Sequence, residues 1–235
     1  MAGYGQFCSA ARAYEALGGR WTLLVVRELL CGSRRFNDIR RGIPRISRTM
    51  LSERLQALGH AGAVERVQGA QGPEYALTEA GRELAPLVGA LAEWGQRWLA
   101  RHPAAEDLDL EPLLVDMQRR VRLEALPERP VVARFEIRAH RPRFMLLKRT
   151  EASLCAHNPG FPESLRVSGP LAALVAWWRG DVGFAEARRL GLAVEGSKAL
   201  VRGFPGWFEL YSFAHVAPAA AESGFRTPRP TAPRS

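Results

Sequence analysis

Arginine side chains are concentrated in one short stretch of the sequence, between positions 34 and 54. This stretch has seven arginines against two acids, Asp38 and Glu53, so it carries +5 of the chain's formal +9. Guanidinium groups bind phosphate oxygens through several N–H donors at once. The cluster therefore favours a polyanionic partner, either nucleic acid or an anionic membrane surface. The bases are Arg34, Arg35, Arg40, Arg41, Arg45, Arg48 and Arg54.

The rest of the composition bears on compartment and cofactors. A pI near 10.4 decides little alone, because a genome rich in G and C raises the arginine content everywhere. Three cysteines, Cys8, Cys31 and Cys155, fit no disulfide framework or zinc ligand set, so we expect a reducing compartment and neither metal nor cofactor. No secretory leader pattern is present, and no apolar run reaches the roughly 18 residues of a membrane span. The sequence predicts a cytoplasmic protein.

The arginines lie on and between short amphipathic segments. Apolar residues at helical spacing predict helices over residues 9–17, 21–31, 36–43 and 48–60. In the last of these, Ser47 is a candidate N-cap, and Leu51, Leu55 and Leu58 share one face. The opposite face presents polar side chains, namely Arg48, Thr49, Ser52, Glu53 and Gln56.

A hairpin and a long helix follow. Residues 64–67 and 74–77 are β-like, and Gly69 and Gly72 between them predict a hairpin with a loose tip. Thr78 can cap a helix over residues 79–100, which Pro86 is expected to kink.

The order of helix, helix, arginine-bearing turn, helix and hairpin is that of a winged helix-turn-helix. A helix of this length fits the major groove of DNA, where its polar face can contact base edges. Flanking cations then contact phosphates, and the hairpin tip reaches the adjacent groove or backbone. The predicted DNA-binding residues are Arg34, Arg35, Arg45, Ser47, Arg48, Thr49, Ser52, Glu53, Arg54, Gln56, Gln68 and Gln71.

Residues 8–101 resemble the HxlR-type family of bacterial winged-helix regulators. The resemblance is carried by Cys8, LGGRWTLLVVREL (17–29), RFNDIRRGIPRIS (35–47), LSERLQALGHAGAVER (51–66) and YALTEAGREL (75–84). It implies a transcriptional regulator that forms a homodimer through the first and last helices of this block. The paired recognition helices would then bind a two-fold symmetric operator in double-stranded DNA, with half-sites about one helical turn apart.

The N-terminal cysteine departs from the family pattern. The family often has proline after this cysteine, whereas Ser9 follows Cys8 here. Some members use the cysteine to sense oxidants or electrophiles, which requires an exposed thiol of lowered pKa. A structural role for Cys8 is the favoured alternative, and Cys31 is expected to be inert inside a core helix.

A change in composition over residues 102–112 predicts a boundary between two domains. The sequence HPAAEDLDLEP combines two prolines with four acids. We expect residues 1–101 to form the winged-helix and dimerisation domain and residues 113–217 a second domain. The Pro-, Ala- and Ser-rich tail, 218–235, is expected to be disordered.

The second domain resembles a sterol-carrier-protein-like domain. A predicted helix over 113–125 precedes strands over 131–138, 143–150, 152–158 and 164–168. Residues 169–204 then follow that family's order of helix, helix, strand and helix. The matched positions are Gly169, Leu171, Leu174, Gly180, Ala185, Gly191, Leu192, Val194, Gly196 and Leu200. The implied fold class is α+β, in which the winged helix-turn-helix is followed by an α/β domain with an antiparallel sheet and helices on one side.

The second resemblance implies a hydrophobic tunnel that would bind a small-molecule effector. Candidate lining residues are Phe144, Met145, Trp177, Trp178, Phe184, Phe204, Trp207 and Phe208. The alternative is that these side chains only fill the core. Trp207 and Phe208 are the first pair to test.

Two other classes of function are alternatives to a regulator. A lipid or hydrophobic-ligand carrier, with the basic N-terminal part docking on anionic surfaces, would need exposed apolar residues beside the arginines. An enzyme has little support, since no G-x-S-x-G, H-E-x-x-H or Walker-type loop is present. A dyad of Cys155 and His157 is the weakest of these alternatives.

Overall fold

The structure is a computed structural model that describes residues 3–99 and 108–219. The chain divides into two compact units, Met1–Ala92 and Glu93–Ser235, here called the N-terminal and C-terminal units. The boundary falls inside a helix, upstream of the predicted linker 102–112. Residues 102–107 of that linker and residues 220–235 of the predicted tail lie outside the described residues.

The N-terminal unit has the predicted order of helices followed by a hairpin, and its fold is a winged helix-turn-helix. Its elements are α1 (Ser9–Leu17), α2 (Thr22–Leu30), α3 (Phe36–Gly42), α4 (Arg48–His60), β1 (Val64–Gly69), β2 (Gly72–Leu77), α5 (Glu79–Arg82) and the first part of α6 (Ala85–Trp98). The residues of α6 from Glu93 onward belong to the C-terminal unit.

Helix α4 forms where its cap and its apolar spacing require. The Ser47 hydroxyl accepts a hydrogen bond from the Met50 N–H at 3.1 Å, which satisfies one of the free donors at the helix start. Leu51, Leu55 and Leu58 are buried in one cluster with residues of α2 and α3. Burial of each leucine contributes roughly 1.5–3 kcal/mol, so this face fixes which side of α4 points to solvent.

The single helix predicted over residues 79–100 is two helices. Thr78 caps α5, because its hydroxyl accepts a hydrogen bond from the Gly81 N–H at 3.1 Å. Pro86 lacks an N–H, and its ring would clash with the carbonyl of Arg82, four residues earlier. The helix therefore ends at Arg82 and restarts at Ala85 instead of bending.

The wing is tighter than its sequence predicted. Strands β1 and β2 pair antiparallel up to Gly69 opposite Gly72, which leaves Ala70 and Gln71 as a two-residue tip. Gly72 adopts φ of +116°, a conformation that favours glycine. In addition, the Tyr75 N–H donates to the Arg34 carbonyl at 2.8 Å, which joins the segment before α3 to the wing.

The C-terminal unit contains a five-stranded sheet with the strand order β5-β4-β3-β6-β7. Its helices are α7 (Leu110–Arg119), α8 (Leu171–Trp178), α9 (Phe184–Arg189) and α10 (Lys198–Gly203). Its strands are β3 (Val131–Ile137), β4 (Arg143–Lys148), β5 (Glu151–Cys155), β6 (Glu163–Gly169) and β7 (Ala193–Gly196).

The sheet is mixed, and the prediction of an antiparallel sheet is wrong. Strands β3, β4 and β5 form the predicted antiparallel meander, but β6 pairs with β3 in parallel. The chain passes from β5, at one edge, to the far side of β3 through residues 156–162, and β6 therefore enters in the same direction as β3. Hairpin signals identify only strands that are neighbours in sequence, so they carried no information on this pairing.

One face of the sheet is apolar, and the other bears charges. Val131, Ala133, Phe135 and Ile137 alternate along β3 and are buried in the core with α7 and α8. The opposite face holds ion pairs, among them Arg166 to Glu136 at 2.8 Å. The helices therefore pack on one side of the sheet.

Candidate nucleic-acid interface

Helix α4 leaves one polar face exposed. Its predicted base-contacting residues and the cap before them are all exposed, whereas the leucines of the opposite face are buried. The helix is long enough to lie in a major groove, and these side chains include the donors and acceptors that read base edges. The exposed residues are Ser47, Arg48, Thr49, Ser52, Glu53 and Gln56.

Cations and the wing flank this face. Arg45, in the turn between α3 and α4, is exposed, as is Arg34 before α3. Arg35 is half-buried at the start of α3. Gln68 and Gln71, near and at the tip of the wing, are also exposed. The structure thus leaves most of the predicted DNA-binding residues of the N-terminal unit at its surface.

Arg54 is placed differently from its prediction as a phosphate contact. Its Nε and Nη2 lie 3.3 and 3.2 Å from the Met50 sulfur. Its Nη1 lies beside Gly19, and a Cβ built on Gly19 would be only 2.6 Å from this nitrogen. The guanidinium therefore packs against the turn between α1 and α2, because the glycine leaves room for it.

The sequence patterns did not predict the contacts of two acidic residues in the N-terminal unit, Glu28 and Glu74. Glu28 is buried in α2, and its Oε1 lies 2.8 Å from Arg27 Nη2. Glu74, on β2, lies 3.6 Å from Arg34 Nη1 and 3.7 Å from Arg35 Nε. Glu74 is the one acid in the second strand of the wing, and this could have marked it as a partner for a cation. The sequence does not indicate which cations it contacts, because Arg34 and Arg35 are about forty positions away.

Cys8 is exposed at the N-terminus of α1. The backbone N–H groups of Ala11 and Ala10 lower the pKa of its thiol below the usual range, since they stabilise the thiolate. Cys31, expected inside a core helix, is exposed because α2 ends at Leu30 and Cys31 caps it. Cys155 is half-buried on β5.

Apolar side chains are exposed on α1, α6 and the segment before α1. Every residue of α1, all within the described part of the chain, is exposed or half-buried. On α6, the exposed residues recur at spacings of three and four and share one face of the helix. The exposed large apolar residues in these segments are Tyr4, Phe7, Tyr14, Leu87, Leu91, Trp94 and Trp98.

The candidate tunnel residues of the C-terminal unit are packed against one another. The rings of Trp177, Trp178, Phe184, Phe204, Trp207 and Phe208 form one cluster with centroid separations between 5.1 and 6.2 Å. Met145 is also buried in this core. Phe144 lies on the opposite face of the sheet, 6.0 Å from Arg134 Cζ, since neighbouring residues of a strand alternate. Phe144 therefore cannot line a cavity together with Met145.

Across residues 3–99 and 108–219, no helix has the length and apolarity to cross a bilayer. Over the same ranges, no group of three or more His, Cys, Asp or Glu side chains is arranged to hold a metal ion.

The cap, the exposed face of α4 and the hairpin define a winged helix-turn-helix protein. The HxlR-like helix-turn-helix family matches residues 16–103. The HTH-type transcriptional regulator YvaP of Bacillus subtilis is 40% identical over 91 residues, which are 37% of this chain and 84% of YvaP. The chain belongs to the HxlR-like helix-turn-helix family, and both of the relatives compared, YvaP and Mb3122, are HTH-type transcriptional regulators.

Other similar proteins cover the same part of the chain. The HTH-type transcriptional regulator Mb3122 of Mycobacterium bovis is 44% identical over 96 residues, which are 40% of this chain and 60% of that relative. The reduced form of the transcriptional regulator YodB from B. subtilis is 34% identical, with a TM-score of 0.35, and the match covers 39% of this chain and 93% of YodB. The redox regulator HypR in its oxidised form is 36% identical, with a TM-score of 0.36, over 38% of this chain and 95% of HypR.

Proposed function

We propose that this chain controls transcription by laying α4 in the major groove of an operator. The observation that carries the proposal is the exposed polar face of α4, opposite three buried leucines. In this proposal Arg48, Thr49, Ser52, Glu53 and Gln56 contact base edges. A regulator of chromosomal genes acts where the DNA is, so the proposed location is the cytoplasm.

The backbone contacts come from the residues around α4. Ser47, Arg34, Arg35 and Arg45 bind phosphates, and Gln68 and Gln71 of the wing reach the adjacent groove or backbone. Arg54 has a lesser part in the proposal, because its guanidinium packs against Met50 and Gly19.

Binding to a duplex of random sequence at several salt concentrations tests the electrostatic part. The affinity should fall with salt, with a log–log slope of about 0.9 per phosphate contacted. Sequencing of genomic fragments that are retained by the protein then identifies the operator. A salt-independent affinity, or retention of fragments without a shared sequence, would contradict the proposal.

A homodimer is the proposed assembly, and it would present two copies of α4 to a two-fold symmetric operator. The exposed apolar residues of α1 and α6 support it, because the four on α6 share one face and an exposed apolar face marks an interaction site. Light scattering should give the mass of a dimer for the intact chain and a lower mass for Leu91→Glu. Leu190→Glu, which changes an exposed leucine of the C-terminal unit, is the matched control. A monomeric mass for the unchanged chain would refute the assembly.

A sterol-carrier-like domain that binds a hydrophobic effector is proposed for the C-terminal unit. It is supported by the order β6, α8, α9, β7 and α10, which is the order that the resemblance implies. The close packing of the rings means that a ligand would have to separate them. Native mass spectrometry of the purified chain should show a bound apolar molecule; a carrier without a regulatory role would retain the ligand but fail to retain operator DNA.

Cys8 is proposed as a candidate sensor of oxidants or electrophiles. Its exposure and the lowered pKa of its thiol are the properties that such a reaction requires.

A further inference from the structure

Glu74 lies between two of the arginines proposed to contact DNA. Its Oε2 is 3.6 Å from Arg34 Nη1, and its Oε1 is 3.7 Å from Arg35 Nε. The side chain of Glu74 is 15% exposed, whereas those of Arg34 and Arg35 are 64% and 43% exposed. One largely buried anion therefore faces two cations that extend into solvent.

The backbone of the wing fixes the position of this carboxylate. The hydrogen bond from the Tyr75 N–H to the Arg34 carbonyl, at 2.8 Å, holds the residue after Glu74 against the arginine segment. On the neighbouring strand, Gly69 lies directly beside the carboxylate, and a Cβ built there would be 2.5 Å from Glu74 Oε1. The carboxylate occupies this position because residue 69 has no side chain.

We propose that Glu74 is a positioning residue that holds Arg34 and Arg35 beside β2 of the wing and limits binding to DNA of arbitrary sequence. The inference rests on the proposed function, which assigns both arginines to the DNA backbone. Both separations exceed hydrogen-bonding distance, and both arginine partners are reached by solvent, so each ion pair is weak. A phosphate can therefore replace the carboxylate.

The consequence is a lower affinity for every duplex whose phosphates these two arginines contact. In the free protein the anion offsets one of two positive charges, so each duplex must compete with Glu74 for the arginines. This cost is the same for an operator and for a random duplex, so only a duplex that also bonds to the face of α4 is bound tightly.

The test compares Glu74→Gln with Glu65→Gln by fluorescence anisotropy on a labelled duplex of random sequence. Glu65 is exposed on β1, so its substitution makes the same change in net charge on the same wing away from the two arginines. We expect Glu74→Gln to raise the affinity on the order of threefold to fivefold more than Glu65→Gln does. Its log–log salt slope should steepen by about 0.9, since one more phosphate is neutralised.

A second comparison shows whether Glu74 acts through the arginines. In a chain that carries Arg34→Gln and Arg35→Gln, adding Glu74→Gln should change the affinity no more than adding Glu65→Gln. A gain that persists in that chain, or equal gains from Glu74→Gln and Glu65→Gln in the unchanged background, would overturn the inference. If Glu74→Gln unfolds the wing, Gly69→Ala displaces the carboxylate without changing the net charge and takes its place in both comparisons.

The failure of this inference is distinct from the failure of the proposed function. An unchanged chain that does not bind duplex DNA even at low salt overturns both. An unchanged chain that binds with the expected salt slope, together with equal gains from the two glutamate substitutions, overturns only the role of Glu74.

Discussion

The carboxylate of Glu28 lies directly against the backbone of Gly42, the last residue of α3. Arg27 connects the same two residues, because its Nη2 donates to Glu28 Oε1 at 2.8 Å and to the Gly42 carbonyl at 3.3 Å. The Ser33 hydroxyl donates to the other carboxylate oxygen of Glu28 at 3.4 Å. These bonds attach α2 to the end of α3, immediately before the turn that leads into α4.

Substitution of Gly42 by alanine should therefore destabilise the N-terminal unit. The added methyl group would overlap the Glu28 carboxylate, which is held on several sides in a closely packed core. Overpacking of this kind costs about 1–3 kcal/mol of unfolding free energy, which denaturant titration of the chain measures.

Gly59→Ala is the matched control for this substitution. A Cβ at Gly59, inside α4, would meet the Val64 carbonyl at an ordinary 3.6 Å. Since glycine is a poor helix former, this substitution should stabilise the unit by about 0.5–1 kcal/mol. Equal effects of the two substitutions would show that the position of Glu28 is not restrictive.

Base contacts and phosphate contacts should separate in the affinities of Gln56→Ala and Arg45→Gln. Gln56 lies on the exposed face of α4, and its loss should weaken binding to the retained operator about tenfold with little effect on a random duplex. Arg45 lies in the turn, and its loss should weaken binding to both duplexes and lower the salt slope by about 0.9. Anisotropy titrations on the two duplexes measure both effects.

The assignment of Gln56 to bases and Arg45 to phosphates would be contradicted if the two substitutions had each other's effects. A loss that depends on sequence at Arg45, or a uniform loss at Gln56, would place α4 differently on the DNA.

The thiolate of Cys8 should form at a lower pH in the folded chain than in the unfolded chain. The pKa of this thiol is lowered in the folded state by the backbone N–H groups of Ala11 and Ala10, so the thiolate fraction rises earlier as the pH increases. The rate of alkylation by iodoacetamide, followed by mass spectrometry of the Cys8 peptide, reports that fraction.

The same measurement in urea provides the control for Cys8, since unfolding removes the helix start. The midpoint in pH should then move up to that of an ordinary thiol. An identical midpoint in both states would leave Cys8 as an unactivated surface residue and would remove the basis of the sensor proposal.

The features predicted correctly from the sequence depend on local patterns. The spacing of Leu51, Leu55 and Leu58 and the cap at Ser47 gave α4 its bounds and its exposed face, because periodicity and capping act within a few residues. Pro86 predicted an irregularity in the helix over residues 79–100, but a kink was expected where the structure has two separate helices.

The features that were missed depend on contacts between distant positions. The parallel pairing of β3 with β6, the packing of Arg54 on Gly19 and the approach of Glu74 to Arg34 all join segments that are more than thirty residues apart. No local pattern specifies such contacts, since they follow from the arrangement of whole elements. For the same reason the aromatic residues of the C-terminal unit could be read as a tunnel or as a core.

The effect of Phe204→Ala on the free energy of unfolding distinguishes a packed aromatic core from a tunnel. Phe204 is fully buried, and its ring lies 5.3 Å from that of Phe208 and 5.8 Å from that of Trp177. If these rings form a packed core, as their separations favour, the substitution leaves a cavity and lowers the unfolding free energy by about 3–5 kcal/mol. Tryptophan fluorescence during denaturation measures the loss, since Trp177 and Trp207 report on this cluster. The exposed Phe161 provides the control, and its substitution by alanine should cost less than about 1 kcal/mol. A loss at Phe204 as small as that at Phe161 would mean that the cluster already surrounds an open cavity, and it would favour the tunnel.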